Sequence, residues 1–563
     1  MCGIWVLFGY TTESVKHCDC TFSRIRHRGP DAWRIQYDNK VTNVCIGFTR
    51  LAIVDSVYGM QPMILHAFPH LTLICNGELY NYKKLGSEFG FNYETKCDVE
   101  CILQMYGAGL PIDKCVMRLD GVFAFTLIDS KRMKAYTARD PFGVRPLYRL
   151  ETTSGILGLC SEGKGLVNLG TTYLNGESWT LKQFPPGYYA EYDILPSGRT
   201  KLVVEKKYYN IGDPPKFRPF IPRTEIDGLE VSAAIRKLLT EAVRKRLMSD
   251  RRIGCLLSGG LDSSLITALV VKLAKENNVP YKIQTFAIGM GSSPDLVAAR
   301  KVAQHCGTEH HEVLFSEQDV GNVLDRVLRT IETCDITTVR ASVGMYLIAE
   351  YIKNNTDSAV IMSGEGADEL AQGYIYFRDA PNADEADKES RRLLEDIHLY
   401  DGQRADRTTA AHGLELRTPF LDLQFTHYFL SLPAEVRQPK DGVEKYILRN
   451  AFESEDLLPK SILWRHKEAF SDGVASIRKS LFQVIQEYVE SRIPDEALEQ
   501  AKQKYAHLTP LTKEALYYRQ VFDSEFPKQA KHLTPYYWMP KWCEVNDPSA
   551  RFLNTYAATA DNL

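Results

Sequence analysis

Arg251 to Ser264 reads RRIGCLLSGGLDSS, an apolar run from Gly254 to Leu257 that breaks into Ser258-Gly259-Gly260-Leu261-Asp262-Ser263-Ser264 and then enters an amphipathic helix from Leu265. A strand that ends in paired glycines and opens a helix suits an anion. The glycines let the backbone approach, while serine hydroxyls and the first free N–H groups of the helix supply donors at its positive end. This is a pyrophosphate-binding geometry but not a Walker A loop, because no Lys-Ser or Lys-Thr closes it; the nearest spacing match, Gly158 to Lys164, has Gly165 where a hydroxyl is required. Upstream, Val231, Ile235, Leu238, Leu239, Ala242 and Val243 fall on one helical face. Downstream, Thr285 to Met290 and Ala359 to Met362 are further short apolar strands. Strands alternating with helices in this way predict an α/β parallel sheet.

Moving outward, Gly212 to Ile226 reads GDPPKFRPFIPRTEI, with Pro214, Pro215, Pro219 and Pro222 close together. Proline at that density blocks both helix interior and central strand, which leaves an extended connector and divides the chain near 210. Before it the chain is β-rich, with strands predicted over Val44 to Val54, Leu71 to Cys75, Val122 to Ile128 and Lys134 to Ala138. Past about residue 385 it is mainly helical and polar. The predicted division is 1–210, a Pro-rich linker at 211–229, and 230–563.

A chain of 563 residues with 44% hydrophobic and 25% charged residues has the composition of an ordinary globular protein, which excludes collagen-like, disordered and coiled-coil classes. A formal net charge of −3 gives no field that favours nucleic acid or an anionic membrane. The longest apolar run, Leu265 to Leu273, is broken by Thr267 and Lys272 and is too short to span a bilayer. The first residues, MCGIWVLFGYTTE, lack the basic region of a secretory signal. Thirteen cysteines without paired CxxC spacing, Cys18-Asp19-Cys20 and Cys97 to Cys101 included, predict reduced thiols, no structural zinc and a cytosolic protein.

A second acidic loop follows the strand Ala359 to Met362: Ser363-Gly364-Glu365-Gly366-Ala367-Asp368-Glu369. Acidic groups at a phosphate site hold Mg²⁺ or act as bases, so Asp262 and Asp368 are metal candidates and Glu365 a candidate base. Asp335 to Arg340 (DITTVR) and Trp464 to Phe470 (WRHKEAF) add hydroxyls and cations.

The other constellation opens the chain. Removal of Met1 would leave a free α-amine on Cys2, and an amine of pKa about 7.7 to 8.0 can take the proton from its own thiol. Downstream lie His27-Arg28-Gly29-Pro30-Asp31, Gly47-Phe48-Thr49-Arg50-Leu51 and Cys75-Asn76-Gly77-Glu78-Leu79-Tyr80-Asn81. Together these resemble the N-terminal-nucleophile glutamine amidotransferases, over about 200 residues. The resemblance implies an α+β sandwich of antiparallel sheets in which Cys2 attacks the side-chain amide of glutamine and Asn76 with Gly77 holds the oxyanion. Arg50, with the following Leu51, Ala52, Ile53 and Val54, would bind the glutamine α-carboxylate side, and Glu78 and Asp98 its α-ammonium end.

The SGGLDSS loop resembles that of ATP pyrophosphatases, which cleave ATP to AMP and pyrophosphate. With TTAAHGLELRTPFLD at Thr408 to Asp422 and YYWMPKW at Tyr536 to Trp542, the whole chain resembles the glutamine-hydrolysing asparagine synthetases, most of all the animal enzymes. That resemblance implies ATP and Mg²⁺, with β-aspartyl-AMP formed in the second domain and aminated by ammonia from the first. It assigns ATP contacts to Leu256, Ser258, Gly259, Gly260, Asp262, Ser263, Ile288, Ser363, Gly364 and Lys467, and support of the adenylate to Glu365. Aspartate falls to Thr337, Thr338 and Arg340. An apolar passage for ammonia and a homodimer are also implied. Two other readings are a different ATP-dependent amide former, such as the β-lactam synthetase branch, and a non-catalytic regulator that binds ATP or glutamine. The intact Cys2, Arg50, Asn76 and Asp98 argue against the first, and nothing in the sequence supports the second.

Overall fold

The computed structural model describes residues 1–10, 20–55, 57–174, 176–291, 293–467, 479–545 and 547–549. Cys18, Asp19 and the Glu468-Ala469-Phe470 end of the cationic segment lie outside the described residues.

Among the described residues the first part of the chain supplies eleven strands: β1 Gly3–Phe8, β2 Ala32–Tyr37, β3 Val44–Arg50, β4 Leu71–Leu79, β5 Gly121–Asp129, β6 Lys134–Arg139, β7 Tyr148–Thr152, β8 Leu157–Cys160, β9 Trp179–Gln183, β10 Tyr188–Ile194 and β11 Thr200–Lys207. They form two antiparallel sheets, ordered β2-β3-β1-β8-β7-β9 and β11-β10-β6-β5-β4. Alternate residues of β1 and β3 (Ile4, Val6, Phe8, Val44, Ile46, Phe48) pack with Ile74, Ala124, Ile128, Ala135 and Ala190 of the other sheet. The core of the sandwich is that inter-sheet layer.

β3 stops at Arg50 rather than running to Val54, because the backbone beyond it is drawn away from the ladder. Leu51 N–H points at Cys2 Sγ, 3.4 Å away, Ala52 N–H donates to the Asp31 carboxylate at 2.7 Å, and Ile53 carbonyl accepts from Asp250 N–H at 2.8 Å.

The rest of the chain builds a wholly parallel sheet from β12 Arg252–Leu256, β13 Gln284–Gly289, β14 Glu309–Leu314, β15 Ser358–Met362 and β16 Glu415–Arg417, ordered β14-β13-β12-β15-β16. Of the predicted amphipathic face of helix α1, Val231–Lys245, the residues Ile235, Leu238, Leu239, Ala242 and Val243 are buried, joined by Ala234, whereas Val231 in the first turn is exposed. Helix α2, Leu261–Glu276, follows β12, and α3, Pro294–Cys306, follows β13. Later come α4 Ile336–Asn355, α5 Asp401–Ala410 and α6 Lys513–Glu525. β16 interrupts the region predicted to be helical, and its three residues carry no periodic signal of their own. No described helix is long and apolar enough to cross a membrane.

Candidate active sites

Strand order reverses between β12 and β15, with β13 and β14 to one side and β16 to the other. In an open parallel sheet that reversal leaves a crevice beyond the carboxyl ends of the two strands. A cavity of about 270 Å³ lies there, lined by Leu256, Ser258, Gly260, Asp262 and Ser263, by Ile288 at the end of β13, and by Ser363, Gly364, Glu365 and Asp368. The two loops touch at Gly364, where a Cβ would stand 2.8 Å from Asp262 Cβ and 2.9 Å from Ser263 N. Gly259 takes φ +76° and packs on α3, where a Cβ would meet Ala299 N at 2.4 Å. Ser263 Oγ ties the loop by bonding Ser258 N–H at 3.2 Å and the Ser258 hydroxyl at 3.0 Å. Gly260 caps the sixteen-residue α2, whose amino end therefore presents its free N–H groups to the loop.

The charges in this cavity include three that no sequence motif marks, Asp401, Arg404 and Lys445. Lys445 Nζ bridges the two carboxylates, bonding Asp262 Oδ2 and standing 2.6 Å from Asp368 Oδ1. Lys467 Nζ grips the same Asp368 at 2.8 and 2.6 Å. Burial opposes ionisation of Asp368, but the two ammonium groups outweigh it and hold the carboxyl below its usual range. Glu365 differs: burial lifts its pKa to about 7 even though Arg404 Nη2 lies 3.0 Å from Oε2. Arg404 is itself shared with Asp401 at 2.6 Å. Lys445, Asp401 and Arg404 sit in polar stretches without a motif, so only the tertiary fold brings them to the loop.

Asp262 and Asp368 converge on one cationic point, and Asp262 Oδ1 is buried without a hydrogen-bond partner among the described residues. Two such carboxylates fit a hard divalent cation that is also held by substrate phosphates. Among the described residues no group of three or more His, Cys, Asp or Glu side chains could hold a metal by itself.

One wall of the cavity comes from the amino end of α4, where Asp335 accepts from Thr338 N–H at 2.9 Å. Thr337 and Arg340 line the cavity. Thr338 does not; its hydroxyl is buried and donates to Asp335 Oδ2 at 2.7 Å, a capping role.

The second site is built around Cys2 at the start of β1. Its thiol lies against Leu51, and burial raises its pKa, with Glu415 and Glu78 close enough to add to the effect. β4 ends beside it. Gln61 fixes that strand through paired bonds to the Cys75 backbone at 3.1 and 2.6 Å. Asn76 Nδ2 and Glu78 Oε2 are buried without hydrogen-bond partners among the described residues, although Glu78 Oε2 lies 3.5 Å from Arg417 Nη2, so the amide donor of Asn76 stands unsatisfied. A Cβ on Gly77 would lie 2.7 Å from Val122 O. Asp98 accepts from Leu79 N–H at 2.6 Å, and burial lifts its pKa to about 7. Arg50 ends β3, donates to the Asp55 carbonyl, and packs against Gly59, where a Cβ would be 2.7 Å from Nη2. Leu51 and Ile53 are buried, Ala52 and Val54 half-buried.

The two sites are joined by buried charge. Arg28 of the HRGPD segment donates to the Cys2 carbonyl at 3.0 Å, to Glu162 at 2.6 Å, and in a fork to Asp406 of α5 at 2.9 and 2.9 Å. Arg417 of β16 bonds Glu415 at 2.8 Å and reaches to 3.5 Å from Glu78, while its carbonyl accepts from Ser363 N–H at 3.0 Å. Between the sites lies a small apolar cavity of about 20 Å³ whose lining runs from Met1 past Phe142, Ala405 and Leu416 to Glu365. Met1 is buried there; its α-amine donates to Leu414 O at 3.2 Å, and burial lowers that amine's pKa to about 5.

Comparison with known proteins agrees with this geometry. Residues 1–195 match the glutamine amidotransferase domain family, and residues 234–386 and 378–546 match the asparagine synthase family. The glutamine-hydrolysing asparagine synthetase of Gallus gallus is 53% identical over 562 residues, 99% of each chain. Those of Bos taurus and Homo sapiens are each 52% identical, over 570 residues covering 100% of both chains and over 566 covering 99% of both. Two family matches that between them take in both sheets, and likeness along the full length at more than half identity, lead to one assignment: the chain belongs to the glutamine-hydrolysing asparagine synthetases.

Proposed function

We propose that the two sites divide the reaction of this ATP-using family between residues 1–210 and 230–563, with 211–229 as the linker. At the first, once Met1 has been removed, the free α-amine takes the thiol proton and the Cys2 thiolate attacks the glutamine side-chain amide carbon; collapse of the adduct breaks the C–N bond, that proton leaves with ammonia, and water then cleaves the thioester to give glutamate. The unpartnered Asn76 Nδ2, together with Gly77 N–H, receives the oxyanion; such donors are worth on the order of 10²-fold to 10³-fold in rate. Glu78 and Asp98 take the α-ammonium, and Arg50, at the head of the Leu51 to Val54 turn, takes the α-carboxylate. The buried Asn76 Nδ2, without a hydrogen-bond partner among the described residues and beside Cys2 at the end of β4, is the observation that carries the glutaminase reading.

At the second site, Ser258, Gly259, Gly260 and Ser263 hold pyrophosphate, Leu256, Ile288, Ser363 and Gly364 hold the nucleoside, and Lys467 neutralises phosphate charge. Thr337 and Arg340 hold aspartate. Thr338 acts through the cap it makes with Asp335. Glu365 supports formation or breakdown of the adenylate; when ammonia attacks the acyl carbon and AMP leaves, its carboxylate takes the proton that the new C–N bond releases. Asp262 and Asp368 would hold Mg²⁺, which would draw charge from the phosphates as they leave.

The apolar cavity from Met1 to Glu365 is the place for the ammonia passage. A dry route keeps the nitrogen as ammonia, whereas released into water it would be protonated and lose its nucleophilic pair. A homodimer and a cytosolic location are proposed on the family resemblance.

The test is two assays on processed protein. Cys2→Ala should abolish glutamine-driven asparagine synthesis and keep ammonia-driven synthesis; loss of both would refute the division into two sites.

A further inference from the structure

Arg340 already holds two carboxylates of its own chain. Its Nε and Nη2 bond Glu514 at 2.8 and 2.7 Å, and its Nη1 and Nη2 bond Asp547 at 2.8 and 2.8 Å. The two partners are not equivalent. Glu514 belongs to α6, has a side chain only 2% exposed, and is further fixed by the Tyr518 hydroxyl at 2.8 Å. Asp547 itself lies outside regular structure, its side chain is 19% exposed, and its carboxylate otherwise accepts from Ser549 N–H two residues on, at 2.9 Å.

The chain around Asp547 forms part of the wall of the synthetase cavity. Trp538, Pro540, Pro548 and Ser549 line it, and Trp538 is pinned to α4 by its N–H on Asp335 at 2.7 Å. Arg340 lines the cavity with them, and its Nη1–Nη2 edge is held by the carboxylate of Asp547, which precedes the lining residues Pro548 and Ser549 and is not itself part of the wall.

We propose that Asp547 is a specificity-determining residue of the aspartate subsite: its carboxylate stands in the place of a substrate carboxylate on Arg340, and free aspartate binds by displacing it. The inference rests on the reading that Arg340 contacts aspartate. Exchange of one carboxylate for another leaves the charge around Arg340 unchanged, with Glu514 holding the guanidinium in position throughout. A ligand that brings no carboxylate to this point cannot replace the fork and leaves Asp547 in place. Occupancy by Asp547 lowers the apparent affinity for aspartate by the fraction of molecules with the subsite free, so a subsite about nine-tenths covered weakens it about tenfold.

The test measures pyrophosphate release by full-length protein with ammonia as nitrogen source and saturating ATP, as a function of aspartate, together with calorimetric binding of aspartate. Four proteins are compared: wild type, Asp547→Asn, Asp547→Glu and Arg340→Lys. The proposal predicts that Asp547→Asn lowers both KM and Kd for aspartate by about three- to tenfold, while the KM for ATP moves less than twofold and Asp547→Glu stays near wild type. Unchanged or weaker aspartate binding in Asp547→Asn, or identical behaviour of the Asn and Glu variants, overturns it. Arg340→Lys separates the two ideas: it keeps a cation for Glu514 but loses the fork. A raised KM for aspartate in that variant upholds Arg340 as a contact whatever Asp547 does, and an unchanged KM removes the assignment and the proposal together.

Discussion

Asp98 is the residue at which function and stability pull in opposite directions. Burial lifts its folded pKa to about 7, against about 3.9 for an aspartate in an unfolded chain. The folded protein therefore holds an extra proton between those values, and the stability that comes from keeping the group neutral is present below about pH 4 and lost as pH rises through 7. Asp98→Asn stays neutral at every pH and can still accept from Leu79 N–H. Thermal melts should show it more stable than wild type at pH 8, by a margin that shrinks towards zero as pH falls below about 4; equal melting points at pH 8 would remove the buried-charge argument. Its glutamine KM should rise by about tenfold or more, since a charge-assisted bond worth about 1.5–3 kcal/mol is lost. In the wild type, glutamine KM should fall as pH rises through about 7, when the carboxylate forms. Glu365→Gln should remove pyrophosphate release with either nitrogen source, and normal release would reject its place at the adenylate.

At the scale of elements, the account depends on two loops meeting at the switch point between β12 and β15. Gly364 is the contact, and a methyl group there meets Asp262 Cβ and the Ser263 backbone at under 3 Å. Gly364→Ala should force the loops apart and cut pyrophosphate release by about 10²-fold, the scale of a lost positioning of about 1 Å, while glutaminase activity measured by glutamate release is retained. Parallel loss of both activities would mean general unfolding instead. Both loops were legible in the sequence, because a strand, a glycine pair and a helix start each leave a local signature. β14, with the polar sequence EHHEVL, and the three-residue β16 leave none; they are fixed by ladder bonds to neighbours far away in the chain. Cys2, Asn76 and Glu78 could be read from their motifs. Lys445, Arg404 and Asp401 could not, since a lysine or arginine in a polar stretch is locally like any solvated one. Thr338 shows the reverse limit: in the DITTVR segment adjacent hydroxyls look alike, and helix geometry sends one to the cavity and the other to the cap.

Across the whole molecule, Arg28 and Arg417 tie the glutaminase half to the synthetase half through buried ion pairs. Removing one partner of such a pair leaves a charge uncompensated at a cost of about 3–5 kcal/mol, so Arg28→Ala should destabilise the protein by that order and separate the unfolding of the two halves in calorimetry. As the proposed ammonia passage, the small apolar cavity would give the halves a chemical reason to stay joined. Ala405→Leu adds bulk to its wall; glutamate release should continue while asparagine formed per glutamate falls several-fold, and ammonia-driven synthesis should persist. The central claim is that one chain couples glutamine hydrolysis at Cys2 to aspartate adenylation at the SGGLDSS loop. It is tested most directly by incubating processed protein with ATP, Mg²⁺, aspartate and glutamine and quantifying asparagine, glutamate, AMP and pyrophosphate in the same sample. The account predicts asparagine with matching AMP and pyrophosphate, and at least as much glutamate. Glutamate without asparagine, or AMP and pyrophosphate that do not track asparagine, would contradict it.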